Sequence, residues 1–405
     1  MVTVAQLGAR MHYAVPAILQ REGLLERLYT DICAPRRLRP VLEAAARLGP
    51  VSLRRWLGRV PRGIPADKIV SFDAMGLEYY RRRNAQTPGA LTSANLWVGP
   101  QLCHRVIRRG LGNANTTFTY NGAGLELMQH GRITGVRTIM EQTIAPAEIE
   151  DLLLDTEERE FPNWELPRAK DPFRKAFSQR EQEEWDTADL ILCGSEFVRD
   201  GIRASGGPVD RCYVVPYGVQ RPFMTVKRDR RNLPLHVLVA GSVGLRKGAP
   251  YVLSAARSLS RKAVFHVAGQ FDITPFAQNI LREHVTLLGA VPRSEIHRQF
   301  EWADVFLLPT LCEGSATVCY EALSYGLPVI TTPNAGSVVR DGLDGYIVPI
   351  RDSAAIVDRI ERLVDDGDLW QTMSGNALER SAEYTLEKYG ERFVDALRAV
   401  STRGN

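Results

Sequence analysis

Nowhere in the 405 residues is there the run of about 18 apolar residues that a membrane-crossing helix needs. The opening segment, Met1-Val2-Thr3-Val4-Ala5-Gln6-Leu7, has no basic start ahead of an apolar stretch. Neither a membrane span nor a cleaved secretory leader is therefore expected. Cysteine is scarce: the six stand at 33, 103, 193, 212, 312 and 319 and make no metal spacing. Reduced core thiols in a cytoplasmic protein are the plain reading. No histidine forms HExxH or another ligand pattern, so no metal is expected. His266 lies in an apolar strand pattern and reads as a core histidine, and His104 has no obvious orienting partner. GxxxxGK[ST] is missing, and no GxGxxG follows the first apolar run. That disfavours a P-loop nucleotide triphosphatase and a nicotinamide dehydrogenase. What remains, 44% apolar and 24% charged residues, is the composition of a globular chain long enough for two domains.

The formal charge is only +4, but it is unevenly spread. Between Arg36 and Arg62 stand eight arginines and one acid, Glu43, interleaved with Leu, Val and Trp56. Arg81-Arg82-Arg83 and Arg105, Arg108 and Arg109 add to the positive half, whereas Glu148 to Glu184 is acidic. Basic residues near an anionic bilayer contribute roughly 1 kcal/mol each, so peripheral contact with the inner face of a membrane stays open beside a solvated Arg-rich face. No nucleic-acid module accompanies the basic residues, and no nucleic-acid partner is expected.

Short apolar runs alternate with helical patterns. Val2 to Leu7, Thr116 to Tyr120, Val136 to Met140 and Leu190 to Cys193 predict strands of a first half. An apolar-periodic segment from Tyr13 to Leu25 predicts its first helix, and Ser195 predicts a helix cap. Arg221 to Pro234 is charged and lacks periodicity, as a linker does. The rhythm restarts with Val237 to Ala240, Ala263 to Val267, Val285 to Leu288, Val305 to Leu308 and Val329 to Thr331. Helices are predicted from Ala249 to Leu259 and Ala354 to Leu363, and the tail from Leu369 to Val400 is helical. Such alternation indicates doubly wound parallel sheets. The expected units are residues 1–220, a linker 221–234, residues 235–385, and a C-terminal helix within 386–405 that returns to the first half.

Glu313-Gly314-Ser315-Ala316 follows a predicted strand and leads into a helix carrying Glu321. Ligands of open α/β folds bind at such junctions, and a helix N-terminus offers N–H groups to an anion. At ~1.5 Å per residue, Glu321 is placed about two turns into that helix. Two acids so spaced suit a ligand with hydroxyls at both ends and anionic charge between them, such as a nucleotide-sugar. Arg246-Lys247-Gly248, after the glycine-bearing turn Gly241 to Gly244, sits at a second junction of the same kind. Two cations there can neutralise a diphosphate. Gly8-Ala9 and Asn121-Gly122-Ala123-Gly124 are either cleft loops or tight turns.

Taken in order, these motifs resemble those of the retaining GT-B glycosyltransferases of family 4. The agreeing elements are Val214 to Val219, Gly241 through Gly248, His266-Val267-Ala268-Gly269, Leu288 to Val291, Ala303-Asp304-Val305, and Glu313 with Glu321. Pro328 to Thr331 and Asp341-Gly342 with Gly345-Tyr346 complete the series. The resemblance implies two Rossmann-like domains facing across a cleft. The donor lies on the C-terminal side and the acceptor on the N-terminal side. It further implies that Lys247 and Arg246 hold the diphosphate and that Glu313 contacts the donor sugar. Gly244, Gly269, Gly314, Ser315 and Ala316 would line the donor, Glu321 would bond the ribose and Val291 would touch the base. Gly8 would face the phosphates across the cleft. Three positions depart from the family pattern: Ser242 stands where an Arg is common, Ser337 where an acid is common, and Glu141-Gln142 near a position often held by His. Glu141 or Gln142 would then serve the acceptor, Glu141 as a base and Gln142 only through hydrogen bonds.

The expected activity is that of a metal-independent hexosyltransferase-type glycosyltransferase. It would move a sugar from a nucleotide diphosphate to a hydroxyl acceptor with retention, in polysaccharide or lipid-linked glycan synthesis. A nucleotide-sugar epimerase, an inverting transferase and a non-catalytic nucleotide-sugar-binding scaffold are the alternatives.

Overall fold

A computed structural model describes residues 1–33, 59–166, 171–220, 234–292 and 295–401, with the side chains of 400 and 401 left aside. The Arg36–Arg62 segment, apart from its last residues, and the linker up to 233 lie outside the described residues.

Two parallel sheets form the frame. Strands β1 (Val2–Gln6), β2 (Leu25–Thr30), β3 (Ile69–Ser71), β4 (Thr116–Tyr120), β5 (Arg137–Gln142), β6 (Leu190–Cys193) and β7 (Cys212–Val214) make the first. Its order is β3-β2-β1-β4-β5-β6-β7. Strands β8 (Leu235–Ala240), β9 (Ala263–Ala268), β10 (Thr286–Gly289), β11 (Val305–Leu308), β12 (Val329–Thr331) and β13 (Gly345–Ile347) make the second, ordered β10-β9-β8-β11-β12-β13. Every residue of β1, β6 and β11 is buried, because helices cover both sheet faces, as right-handed parallel crossovers require.

Helices α1 (Ala14–Arg21), α2 (Asp73–Arg83), α3 (Ala90–Arg109), α4 (Leu125–Thr134), α5 (Ala147–Glu160), α6 (Arg174–Thr187) and α7 (Glu196–Ala204) accompany the first sheet. The second is accompanied by α8 (Ala249–Ser258), α9 (Pro275–Arg282), α10 (Ile296–Trp302), α11 (Thr317–Ser324), α12 (Ser353–Asp365) and α13 (Gly367–Ala382), and α14 (Leu386–Ser401) follows. Ser195, Thr274, Asp352 and Asp366 cap their helices by accepting the N–H three residues on, the usual remedy for orphan donors.

The apolar period from Tyr13 to Leu25 does not continue as one helix. Gly23, at φ +70°, ends it, and Leu25 opens β2 with 0% exposure. The chain also crosses the seam twice outside the linker. Beyond α5, Trp164 enters the second core beside Tyr251 and Phe161. The C-terminal α14 lies on the first half, where Phe393 meets Phe118 edge-on with centroids 5.4 Å apart.

Candidate active site at the seam between the two sheets

The loops that follow β8, β9, β10 and β11 converge on one cleft of about 690 Å³. It is lined by Gly241, Lys247, Gly269, Val291, Glu313, Ser315, Ala316 and Glu321. The turn after β8 folds tightly: a Cβ on Gly269 would stand 1.6 Å from the Gly241 carbonyl oxygen. Gly248, at φ +74°, approaches the Pro309 carbonyl too closely for any side chain. These approaches turn Lys247 into the cleft. Its Nζ stands 2.5 Å from Glu313 Oε1, and Arg246 Nη1 donates to the same oxygen at 2.7 Å. Both ends of the Lys247–Glu313 pair are mostly buried, 12% and 15% exposed, so little solvent screens it. One carboxylate facing two cations leaves a net positive corner, suited to an anion that carries hydroxyls nearby.

Glu321 lines the cleft, but α11 begins only at Thr317. It therefore stands about one turn into the helix, ~6 Å along its axis, not two. Ser315 is held by the Tyr320 hydroxyl at 2.6 Å and by the Gly336 carbonyl at 3.1 Å. The Ala316 N–H is already given to the Ala335 carbonyl. Arg246 and Gly244 are not on the cleft wall. Gly244 backs onto Glu165 from the arm after α5, whose Oε1 takes the Leu245 N–H at 2.5 Å.

Gly314 marks where the halves touch: a Cβ there would lie 1.9 Å from the Thr143 carbonyl oxygen. Across this contact a second cavity of about 380 Å³ opens, lined by Gly8, Arg10, Asp31, Tyr79, Asn121 and Thr143 among others. Gly8, at φ +71°, thus lines this cavity and not the cleft around Lys247, and its N–H is engaged by Asp31 Oδ1 at 2.9 Å. The Asn121–Gly124 turn is a cavity loop. Buried Glu184 shapes it by accepting the N–H groups of Gly122 and Gly124 at 2.6 and 3.0 Å.

Glu141 and Gln142 line neither space. Glu141 is 3% exposed and takes the Tyr217 hydroxyl proton at 2.5 Å. Burial raises its carboxyl to about 7, against the lowering effects of that bond and of Arg10. Gln142 is 0% exposed. Its amide donates to Ile144 O and Glu181 Oε1 and accepts from Trp185 Nε1. With its polar atoms committed, it has no group to offer an acceptor. Arg10, Tyr79 and Glu165 belong to no motif that the sequence marks as a site. Arg10 at least stands in the turn after the first strand, where a signal existed.

Among the described residues, no cluster of three or more His, Cys, Asp or Glu side chains could hold a metal. No described helix is long and apolar enough to cross a membrane.

Residues 234–366 match the family model of glycosyl transferases group 1. The chain is 27% identical over 215 residues to the amylovoran biosynthesis glycosyltransferase AmsK of Erwinia amylovora, which covers 49% of this chain and 51% of that protein. It therefore spans about half the length of that relative. Over 263 residues it is 25% identical to the alpha-D-kanosaminyltransferase of Streptomyces kanamyceticus, with 60% and 67% covered. The Anabaena HepE structure in complex with UDP superposes with a TM-score of 0.60 at 12% identity, covering 98% of this chain and 99% of that one. The match to glycosyl transferases group 1 thus lies on the second sheet and its helices, and the paired parallel sheets give the chain the GT-B fold.

Proposed function

We propose that the chain transfers a sugar from a nucleotide diphosphate, bound in the cleft of the second half, to a hydroxyl of an acceptor held by the first half. The observation that carries this reading is the Lys247–Glu313–Arg246 corner beside the Gly314–Thr143 contact. Lys247, with Arg246 behind it, neutralises the diphosphate as it departs. Preorganised cations do this without reorganisation cost. Glu313, released from Lys247 when the phosphates arrive, takes donor-sugar hydroxyls. Glu321 takes the ribose, and Val291 lies against the base. Gly269 and the backbone from Gly314 to Ala316 shape the wall. The acceptor side is assigned to residues 1–220, the donor side to 235–385, with the last helix returning to the first half.

In the retaining course, the acceptor oxygen bonds to the anomeric carbon on the face the diphosphate leaves. The bond from that carbon to the phosphate oxygen breaks, and the departing oxygen takes the acceptor proton. No protein nucleophile is needed. An inverting course requires a positioned base, and Glu141, 3% exposed and outside both cavities, is not placed as one. Polysaccharide or lipid-linked glycan synthesis is the setting that the AmsK likeness supports.

Titration calorimetry with UDP, GDP, ADP and TDP in EDTA tests the reading. One nucleotide, UDP first in view of the HepE complex, is expected to bind, and Lys247→Ala is expected to weaken it. Glu313→Ala should lower turnover far more than nucleotide affinity. Failure of all four nucleotides to bind would overturn the proposal.

A further inference from the structure

Four arginines line the cavity of the first half, and two of them have no carboxylate partner among the described residues. Arg10, Arg59, Arg83 and Arg174 line it together with Asp31, Glu150 and Glu181. Arg59 is paired with Asp31 at 3.1 Å. Arg174 is paired with Glu150 at 3.0 Å and Asp151 at 2.7 Å. Glu181 is taken by Gln142 and the Ala147 N–H, both at 2.9 Å. Arg10 and Arg83 are different. Arg10 donates to Thr143 Oγ1 at 3.2 Å and lies 5.0 Å over the Tyr120 ring. Its Nε is buried with no hydrogen-bond partner among the described residues. Arg83 stands 5.7 Å over the Tyr79 ring. Neither pairs with a carboxylate among the described residues. Arg10 also bears on the Glu141 carboxyl, and that carboxyl is bound to Tyr217.

Arg10, Arg59 and Arg83 line the same cavity as Tyr79, over whose ring Arg83 lies, so guanidinium groups from three separate stretches of chain share its wall. The turn that delivers Arg10 is held against its own preference. Met11, His12 and Tyr13 have φ of 43°, 53° and 64°, a left-handed conformation that strains residues other than glycine. Tyr13, fully buried, and Asp31, gripping the Gly8 N–H, over-determine that turn and keep Arg10 on the cavity wall.

We propose that this cavity binds the phosphate group of a phosphorylated acceptor, gripped by Arg10 and Arg83 with Arg59 behind them. A neutral glycan would offer no charge to Arg10, whose Nε is buried without a partner among the described residues, or to Arg83 at the rim. A single carboxylate is satisfied by one bidentate arginine, whereas a phosphate dianion has charge and oxygens for two. The space, about 380 Å³, suits a sugar phosphate or a lipid phosphate headgroup. Thr143, which steadies Arg10, is also the residue whose carbonyl meets Gly314, so the cavity wall borders the residue next to Glu313 in the chain. Calling this ligand the acceptor rests on the transfer reading above; the phosphate site does not.

The test is calorimetry on full-length Lys247→Ala protein, which disables the competing diphosphate site. Inorganic phosphate, glucose 6-phosphate and glucose are compared, beside flotation with phosphatidylcholine vesicles with and without phosphatidic acid. Glucose 6-phosphate or the phosphatidic acid vesicles should bind, glucose should not, and Arg10→Gln and Arg83→Gln should each weaken binding about tenfold or more, the loss of one charge-assisted contact. Binding to glucose 6-phosphate identifies a soluble source, and binding to the vesicles alone a lipid one. Arg83 is exposed at the end of α2, so its variant is informative even if Arg10→Gln misfolds. Absence of phosphate-dependent binding, or binding unchanged in Arg83→Gln and in folded Arg10→Gln, would overturn the proposal. Nucleotide binding by the wild type is read separately, so loss of the transfer reading is told apart from loss of this site.

Discussion

Glu141 lies near the end of β5 with one carboxyl oxygen on the Tyr217 hydroxyl at 2.5 Å and the other buried without a partner among the described residues. A charge there is poorly solvated, and burial moves the group from its ordinary 4.5 to about 7. Because the folded form holds this proton more tightly than the unfolded chain, its contribution to stability is complete below about pH 4.5. It is lost as pH rises towards about 7, then stays level. Glu184 is raised to about 7 as well, by burial, and acts in the same direction. Glu141→Gln keeps an acceptor for Tyr217 and removes the ionisation. Its melting temperature is therefore expected to fall less than the wild type's between about pH 5 and pH 8. A parallel fall in thermal melts would show that Glu141 does not titrate there. The same variant should retain turnover, since the side chain faces neither cavity.

At the scale of elements, the junction from β11 to α11 does two jobs. It sets Glu313 against Lys247, and through Gly314 it sets the second half against the loop after β5. A methyl group on Gly314 would meet the Thr143 carbonyl oxygen at 1.9 Å, the Thr143 carbonyl carbon at 2.7 Å and the Ile144 Cα at 3.1 Å. All three are backbone atoms that cannot rotate away, so the halves must shift. Gly314→Ala is expected to lower turnover about tenfold or more, as misplacing reacting groups by an ångström does, while nucleotide affinity, proposed to be set within the second half, changes little. Gly375, inside α13 with nothing within 4 Å of its would-be Cβ, is the control. There Ala should be neutral or stabilising by up to about 1 kcal/mol. Steady-state kinetics beside nucleotide titration distinguishes the two sites, and equal behaviour of both variants would remove the seam from the argument.

In the whole molecule, α14 follows the second sheet in sequence but packs on the first. Gly390 approaches Ile18 of α1 within 3.4 Å of its would-be Cβ, and Arg392 donates to the carbonyls of Pro216 and Tyr217. Phe393 is fully buried between Phe118 and Tyr389. Phe393→Ala should cost about 3–5 kcal/mol by transfer and cavity terms. The loss should register in the first sheet: hydrogen exchange of β4 amides is expected to accelerate and that of β8 amides to remain slow. Acceleration confined to β8 would contradict this placement of the helix.

The amino-acid pattern alone determined the alternating α/β frame and the strands whose residues are buried on both faces. Val305–Leu308 and Val329–Thr331 have the bounds read from their apolar runs. It also marked Lys247, Glu313 and Glu321, because short-range motifs at strand ends carry their own context. It could not separate α1 from β2, where Leu25 continues the helical period, and it did not show β3, a three-residue strand that is only half-buried. The tertiary structure decided what depends on distance through space. It closed Lys247 and Arg246 onto Glu313, placed Gly314 against Thr143, and buried Glu141 and Gln142 away from both cavities. It also brought Arg10, Arg59 and Arg83 together from separate stretches of chain. Local periodicity reports which side of an element faces the core; which charges become neighbours is settled only when the elements pack.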